Sequence, residues 1–379
     1  MPDCIVENEE IFYHHPIVFV VKNNYQIVFN TTQKGIAWVE IDGKVYKDSI
    51  CGVVRSERTT HRIEIQQSVL DKVGEYTIGY AYIEDRVPYF PKSGEHITKK
   101  YKFRPYNPLD GGQIYVLADA HSHSTAPSRA ASFFGDKLDL LILNGDIGNK
   151  LIDISNLMTI YKIADSVCKG EIPVIYTRGN HETRGIYAES LPEYIGNENG
   201  NTYFSFRIGN VWGVVLDCGE DKFDEHPEYG EIADYRRFRE AQTEYLKSII
   251  KNAKNEYEAD GVEYKIAVCH VPFTQLVHDF ADDIYDAWTK LLNEIGVDMM
   301  LTGHRHKIIF KEANIGVANK EIPNFPVVVG ARMNDDPFID QKNNNEEFCA
   351  TAVILSDKKI TIKFTNSLLQ TVDEHIISK

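Results

Sequence analysis

Short runs of Val, Ile, Tyr and Phe punctuate the first hundred residues: Ile17–Val21, Tyr25–Phe29, Ile36–Ile41, Arg62–Gln66, Tyr76–Ile83 and Thr98–Phe103. Polar turn residues such as Asn23-Asn24 and Asp42-Gly43 separate them, and no long stretch has a helical period. Closely spaced runs of this kind predict an all-β sandwich of immunoglobulin or fibronectin-III form. A joint rich in Pro and Gly, Arg104-Pro-Tyr-Asn-Pro-Leu-Asp-Gly-Gly112, predicts a domain boundary. The expected domains are therefore 1–108 and 109–379.

From Gln113 the pattern alternates. Apolar runs at Ile114–Ala118, Leu138–Leu143, Val174–Thr177, Val211–Leu216, Tyr264–Cys269 and Val297–Thr302 are separated by segments that read as helices, Leu151–Cys168, Arg236–Ala253 and Ile284–Ile295. Strands alternating with helices predict a layered α/β domain. Pro326–Val329, Ala350–Leu355 and Ile360–Thr365 predict closing strands, and no internal repeat or low-complexity segment is present.

Candidate chemistry sits at the ends of these strands. Tyr115–Ala118 leads into Asp119-Ala-His121, and Leu141–Gly145 leads into Asp146. Val174–Gly179 leads into Asn180-His181-Glu182, Ile266–Cys269 into His270, and Met300–Gly303 into His304-Arg305-His306. Five strands thus deliver Asp, Asn or His at the same end, where open α/β sheets bind ligands. Glycine precedes the polar residue in three cases, Gly145, Gly179 and Gly303, permitting a sharp turn or close backbone approach.

The set Asp119, His121, Asp146, Asn180, His270, His304 and His306 offers carboxylate, imidazole and amide oxygen without thiolate. Such donors suit borderline or hard divalent ions, Mn, Fe, Zn or Co. They outnumber what one tetrahedral zinc takes and fit two neighbouring ions. The two carboxylates leave a pair of divalent ions with a charge of roughly +2, which calls for an anionic ester and a hydroxide. A phosphate ester attacked by a metal-bridging hydroxide meets that requirement.

Composition narrows the alternatives. The formal charge of −15 opposes a nucleic-acid backbone or an anionic lipid surface at long range, so neither nonspecific nucleic-acid binding nor a membrane partner is expected. No apolar run approaches the roughly 18 residues of a membrane span. The acidic start, Met-Pro-Asp-Cys-Ile-Val-Glu-Asn-Glu-Glu, lacks the basic and apolar regions of a signal peptide, so a cytoplasmic location is expected. Cys4, Cys51, Cys168, Cys218, Cys269 and Cys349 are scattered with no C-x-x-C pair, which argues against a disulfide framework or a zinc knuckle.

These residues resemble the motifs of the calcineurin-like metallophosphoesterase superfamily. Asp119-Ala-His121 matches its D-x-H, Gly145-Asp146 its G-D, and Gly179-Asn180-His181-Glu182 its G-N-H-[DE]. His270 with Pro272 matches H-x-P, and Gly303-His304-Arg305-His306 matches G-H-x-H. The resemblance implies a four-layer αββα sandwich and a phosphatase or phosphodiesterase activity. It also implies that Asp119, His121, Asp146 and His306 hold one metal, that Asp146, Asn180, His270 and His304 hold the other, and that His181 faces the substrate. There it stabilises the phosphoryl group or protonates the leaving oxygen.

The β-rich segment ahead of such a domain resembles the layout of purple acid phosphatases. His121 and Asn149 stand where those enzymes have glycine and tyrosine, so no purple charge-transfer band and no forced Fe(III) are expected. Many family phosphatases carry Asp where Asn149 stands. An amide orients His181 but stabilises its imidazolium less than a carboxylate does.

Arg178 and Arg184 flank the third motif and are candidates for phosphate oxygens, with structural salt bridges as the competing role. His123 is a candidate for the pocket or for a solvated loop. Arg305 alternates away from its two neighbours, and Cys269 faces the core behind His270. The acidic, aromatic loop 219–235 reads as a solvated loop ahead of a pocket border. A catalytically silent scaffold that binds protein partners is the alternative to an enzyme.

Overall fold

Neighbouring side chains on a strand face opposite sides of its sheet, so a run that is apolar at every position needs cover on both faces. The computed structural model describes residues 12–106, 111–275, 282–333 and 348–379, and it covers both faces of the central runs. Cys4 and the expected boundary at 108/109 lie outside those residues.

The N-terminal part contains strands β1 (Ile17–Val21), β2 (Asn24–Ile41), β3 (Lys44–Lys47), β4 (Ser49–Ile50), β5 (Val53–Val54) and β6 (Arg58–Gln66). Helix α1 (Gln67–Val73) follows, then β7 (Glu75–Asp85), β8 (Lys92–Ser93) and β9 (Ile97–Lys102). The alternating part opens with β10 (Gly112–Leu117), α2 (Thr125–Ala131), β11 (Leu140–Asn144), α3 (Ile154–Cys168) and β12 (Pro173–Thr177). It continues through β13 (Phe204–Ile208), β14 (Val211–Leu216), α4 (Tyr235–Lys251), β15 (Tyr264–Cys269) and α5 (Asp282–Ile295). The remaining strands are β16 (Met299–Thr302), β17 (Lys307–Lys311), β18 (Val327–Met333), β19 (Phe348–Ser356), β20 (Lys359–Asn366) and β21 (Thr371–Ser378).

Two mixed groups of strands build the α/β part. In one, β10, β11 and β12 run parallel, with β19 antiparallel at the β10 edge and β20 and β21 beyond it. In the other, β14, β15, β16 and β18 run parallel, with β13 and β17 antiparallel at the edges. Strand β19 also pairs with β18 and so joins the groups. Ile114 and Val116 on β10 share a core with Ile266 and Val268 on β15, which packs the groups face to face. Tyr115 and Leu117 point the other way, onto Leu157, Ile160 and Ala164 of α3. Val214, Ala267 and Met300 likewise pack against Leu246 and Ile249 of α4 and Trp288 and Leu292 of α5. The layers are helix, sheet, sheet, helix.

The N-terminal part differs from a self-contained sandwich. Tyr25–Phe29 and Ile36–Ile41 belong to one 18-residue strand whose register shifts between Asn30 and Gly35. Its first half pairs with β1 and β6, and its second half with β3 and β7. Strand β1 pairs in parallel with β12, Val18 opposite Pro173 and Phe19 opposite Val174. The α/β sheet therefore extends into the β-rich segment. Polar ties reinforce the seam: Arg62 Nη1 donates to Pro192 O at 2.7 Å, and Tyr76 Oη to Gly170 O at 2.8 Å.

Several elements escape the hydrophobic pattern. Helix α2 has Pro127 in its first turn, where a missing N–H costs nothing, and its small residues Ala130 and Ala131 pack under α3. Strand β21 is largely exposed and is fixed by pairing with β20, an interaction that leaves no apolar alternation in Thr371–Ser378. Among the described residues no helix is long and apolar enough to cross a membrane.

All five residues of β1 are buried. Burying each such side chain is worth about 1.5–3 kcal/mol, a sum comparable to the ~5–15 kcal/mol net stability of a whole domain. A chain starting at Gly111 should therefore be aggregated or molten, as read by size-exclusion chromatography and thermal unfolding. A monomeric truncated protein with a cooperative transition would show that β1 is dispensable.

Candidate metal centre

The strand ends β10, β11, β12, β15 and β16 bring their polar residues to one spot by tight turns. Asp119, His121, Ser122, Asp146, His304 and His306 all have positive φ, between 45° and 68°, which non-glycine residues adopt at a cost. Backbone bonds offset that strain: Asp119 N donates to Gly145 O at 3.1 Å, and His121 N to Asp146 O at 2.8 Å. Gly303 N donates to His270 O, also at 2.8 Å. Two glycines allow the close approach. A Cβ on Gly145 would stand 2.6 Å from the His270 ring, and one on Gly179 would stand 2.2 Å from Asp146 Oδ1.

Acceptor atoms crowd together at this spot. His270 Nδ1 lies 2.7 Å from Asn144 O, a carbonyl that only accepts, so Nδ1 carries a hydrogen and Nε2 faces inward. There Nε2 is buried between two carboxylates, 3.1 Å from Asp146 Oδ2 and 3.8 Å from Asp119 Oδ1. His121 Nε2 and His306 Nε2 face each other at 3.0 Å, with Asp119 Oδ1 3.5 Å from the latter. Asp119 also accepts from His304 N, at 2.9 Å to Oδ2. His304 Nδ1 lies 2.9 Å from Asn180 Oδ1. Turned over, the same amide would donate to His304 Nδ1 and Asp146 Oδ2 and accept from Arg184 Nη2 at 3.0 Å.

Such a cluster needs positive charge at its centre. Asp119, His121 and His306 form one group able to hold a metal ion, and Asp146, His270 and His304 form another. His121, Asp146 and His181 make a third that overlaps both. Without ions the charge comes from protons. Burial opposes a charge on His270, but Asp146 and Asp119 raise its pKa to about 10. Burial and the Asp146 charge raise Asp119 to about 8. Burial also lowers His121 to about 3 and, with the His270 charge, His304 to about 4, which keeps both imidazoles neutral as ligation requires.

His181 stands at the edge of this cluster. Its Nδ1 lies 2.7 Å from Asn149 O and 2.9 Å from Asn149 Oδ1, so it donates to Asn149 as the sequence leads one to expect. Its Nε2 lies 3.9 Å from Asp146 Oδ2 and 3.2 Å from Arg184 Nη1. Arg184 is clamped by Glu220, Nε on Oε1 and Nη2 on Oε2 at 2.9 Å, which leaves Nη1 toward His181. Arg178 makes a structural ion pair: its Nε donates to Asp217 Oδ2 at 2.7 Å and its guanidinium lies over Phe238. His123 is half-buried in the turn after His121, and its side chain makes no hydrogen bond or ion pair with a described residue. Arg305 is exposed and Cys269 is buried, both as expected.

Two residues matter that strand-end reading passed over. Glu182 is fully buried and accepts backbone N–H bonds from Asp146 and Gly148 at 2.8 Å and Gly179 at 2.9 Å, tying together the turns that carry Asp146 and Asn180. Its motif position was visible, its role was not. Glu220 is buried at the start of the 219–235 loop, just after β14. Asp217 and Glu220 follow a sixth apolar strand and obey the same rule as the other five.

A Glu182→Gln variant keeps the size but turns an NH2 toward backbone donors. The cost of an unsatisfied buried group is about 1–3 kcal/mol, so urea unfolding should show a loss of that order. Wild-type stability in this variant would remove Glu182 from the site's framework. Ligation must also expel the protons on His270 and Asp119. At pH 7, titration with manganese should release protons, seen as a binding enthalpy that varies with the buffer's ionisation enthalpy, and affinity should fall as pH is lowered. A buffer-independent enthalpy would contradict this picture.

Comparison with known proteins agrees with this geometry. The chain resembles the solved structure of a purple acid phosphatase isolated from yellow lupin (Lupinus luteus) seeds, at 12% identity and a TM-score of 0.60, over 97% of this chain and 74% of that one. It resembles the structure of PhoD at 12% identity and a TM-score of 0.57, over 99% of this chain and 90% of that one. At such identities the likeness is one of fold, and it extends through the β-rich segment. No curated protein matches the sequence. The family profile for calcineurin-like phosphoesterases matches residues 112–307, just over half of the chain and all of the strand ends described above. The chain belongs to the calcineurin-like phosphoesterase family.

Proposed function

We propose that this protein is a metal-dependent phosphoesterase that hydrolyses a phosphomonoester or phosphodiester at a dinuclear centre. The observation that carries the reading is the inward-facing set of imidazole, amide and carboxylate atoms, above all His270 Nε2, buried between Asp146 and Asp119 at 3.1 and 3.8 Å. Asp119, His121, Asp146 and His306 would hold one ion, and Asp146, Asn180, His270 and His304 the other. The donor set suits Mn, Fe, Zn or Co. When bound, such a pair supplies a nucleophile at neutral pH and neutralises phosphoryl oxygens.

The chain's own residues do the rest. Glu182 and the strained turns fix the ligands before substrate arrives, so orientation is settled in the fold. Arg184, held by Glu220, directs Nη1 toward the place where a non-bridging phosphate oxygen would lie. His181 is oriented by Asn149 through Nδ1, and its Nε2, which accepts from Arg184 Nη1 at 3.2 Å, would face the substrate once that nitrogen turns to a phosphate oxygen. With Nδ1–H given to Asn149, His181 can donate from Nε2 to a phosphoryl or leaving oxygen only as the imidazolium. Burial and Arg184 lower its pKa while Asp146 raises it, and an anionic ester at the centre would favour the charged form. Arg178 supports the site through Asp217. The β-rich segment fits a sandwich whose first strand has passed to the α/β sheet.

Manganese-reconstituted protein should hydrolyse an aryl phosphomonoester or its bis-aryl diester. The Asp146→Asn variant should lose metal and turnover together. His181→Ala should keep its metal content by elemental analysis and lose about 10²–10⁴-fold in kcat. Normal turnover in Asp146→Asn would refute the mechanism. Full metal loading of the wild-type protein with no turnover of either ester would favour a silent scaffold.

A further inference from the structure

Residues on either side of the third motif line an open cleft of about 630 Å³, within the usual size of small-molecule sites. Arg178, Thr183 and Gly185 line it, bracketing Asn180, His181 and Glu182 in sequence, and Ile186, Ile232 and Tyr235 form its other walls. The wall is tied to the centre. The Thr183 hydroxyl lies 2.7 Å from Asn180 O and 3.0 Å from Glu220 Oε1.

The chemistry of the cleft is mostly apolar. Ile186 and Ile232 are 74% and 86% exposed, unusual for isoleucine and a gain for any apolar group that covers them. The Tyr235 ring is held against Gly219, where a Cβ would come within 2.3 Å of it, and under the Arg239 guanidinium at 5.9 Å. That makes a rigid, flat wall. The Arg178 charge is already answered by Asp217, and the other charged residue lining the cleft is Glu189. A leaving group with a further phosphate or carboxylate would find no uncommitted cation among these lining residues.

We propose that this cleft is the subsite for the alcohol portion of the ester and that it takes a flat, apolar, uncharged group. The proposal rests on the phosphoesterase reading above and gives that reading a substrate class. The phosphoryl group would lie at the centre near Arg184 and His181, with the alcohol directed past Thr183 between Ile186 and Ile232.

The test uses the full chain reconstituted with manganese. It compares 2-naphthyl phosphate, phenyl phosphate and glycerol phosphate in the wild type and in an Ile186→Asp/Ile232→Asp double variant. Both changes are at exposed positions, so the fold should be kept, as circular dichroism and thermal unfolding will report. The wild type should prefer naphthyl to phenyl, two leaving groups of similar acidity. The double variant should lower the naphthyl-to-glycerol ratio of kcat/KM about tenfold, chiefly through KM. A second variant, Ala188→Trp, narrows the cleft and should lower the same ratio without adding charge. Hydrolysis with an unchanged ratio in both variants would overturn the subsite and leave the phosphoesterase reading standing. No hydrolysis of any ester by the metal-loaded wild type would overturn both.

Discussion

Asp119 and Asp146 are held close together and almost fully buried, and the rest of the site is built around that constraint. Two buried carboxylates repel each other strongly at low dielectric and persist only with positive charge between them. The chain answers with four imidazoles and an amide whose acceptor atoms all turn toward the carboxylates. Protons on His270 and Asp119 meet the need in part. Bound divalent ions would meet it more fully, which is why the carboxylate pair suits this fold to metal.

Holding that arrangement takes structure behind the ligands. Left-handed conformations at Asp119, His121, Asp146, His304 and His306 are unfavourable one by one and are tolerated because neighbouring turns bond to each other. Glu182 makes the strongest such link, a buried carboxylate spending its oxygens on backbone N–H groups from two turns. A second device of the same sort lies further out, where Glu220 clamps Arg184 and leaves one nitrogen toward His181. In both cases a buried acid that touches no candidate metal position fixes a group that faces it. The apolar cleft next to Thr183 shares this support, since Glu220 also meets the Thr183 hydroxyl.

The N-terminal segment belongs to the same physical unit. Strand β1 completes the edge of the parallel sheet beside β12, and its side chains enter both the core between the sheets and the core under α3. Covering that edge removes an exposed row of backbone donors and acceptors. It also stiffens the strand whose end carries Asn180 and His181.

By itself the sequence determined the layers and the candidate ligands. Runs that are apolar at every position require helices or a second sheet on each face, which is why β10 to β12 and β14 to β16 were legible, and polar residues at strand ends have nowhere to go but the sheet's edge. Asp119, His121, Asp146, Asn180, His270, His304 and His306 could be named on that ground together with their family motifs. Tertiary structure decided what depends on contacts between distant segments. Nothing near Ile17–Val21 states that it will pair with residues 173 and 174 as well as with β2. The choice of Asp217 for Arg178 and of Glu220 for Arg184 is likewise set by how the end of β14 meets the third motif. Strand pairing and salt-bridge choice are matters of geometry across the fold, and periodicity along the chain carries information only about the faces each element must cover.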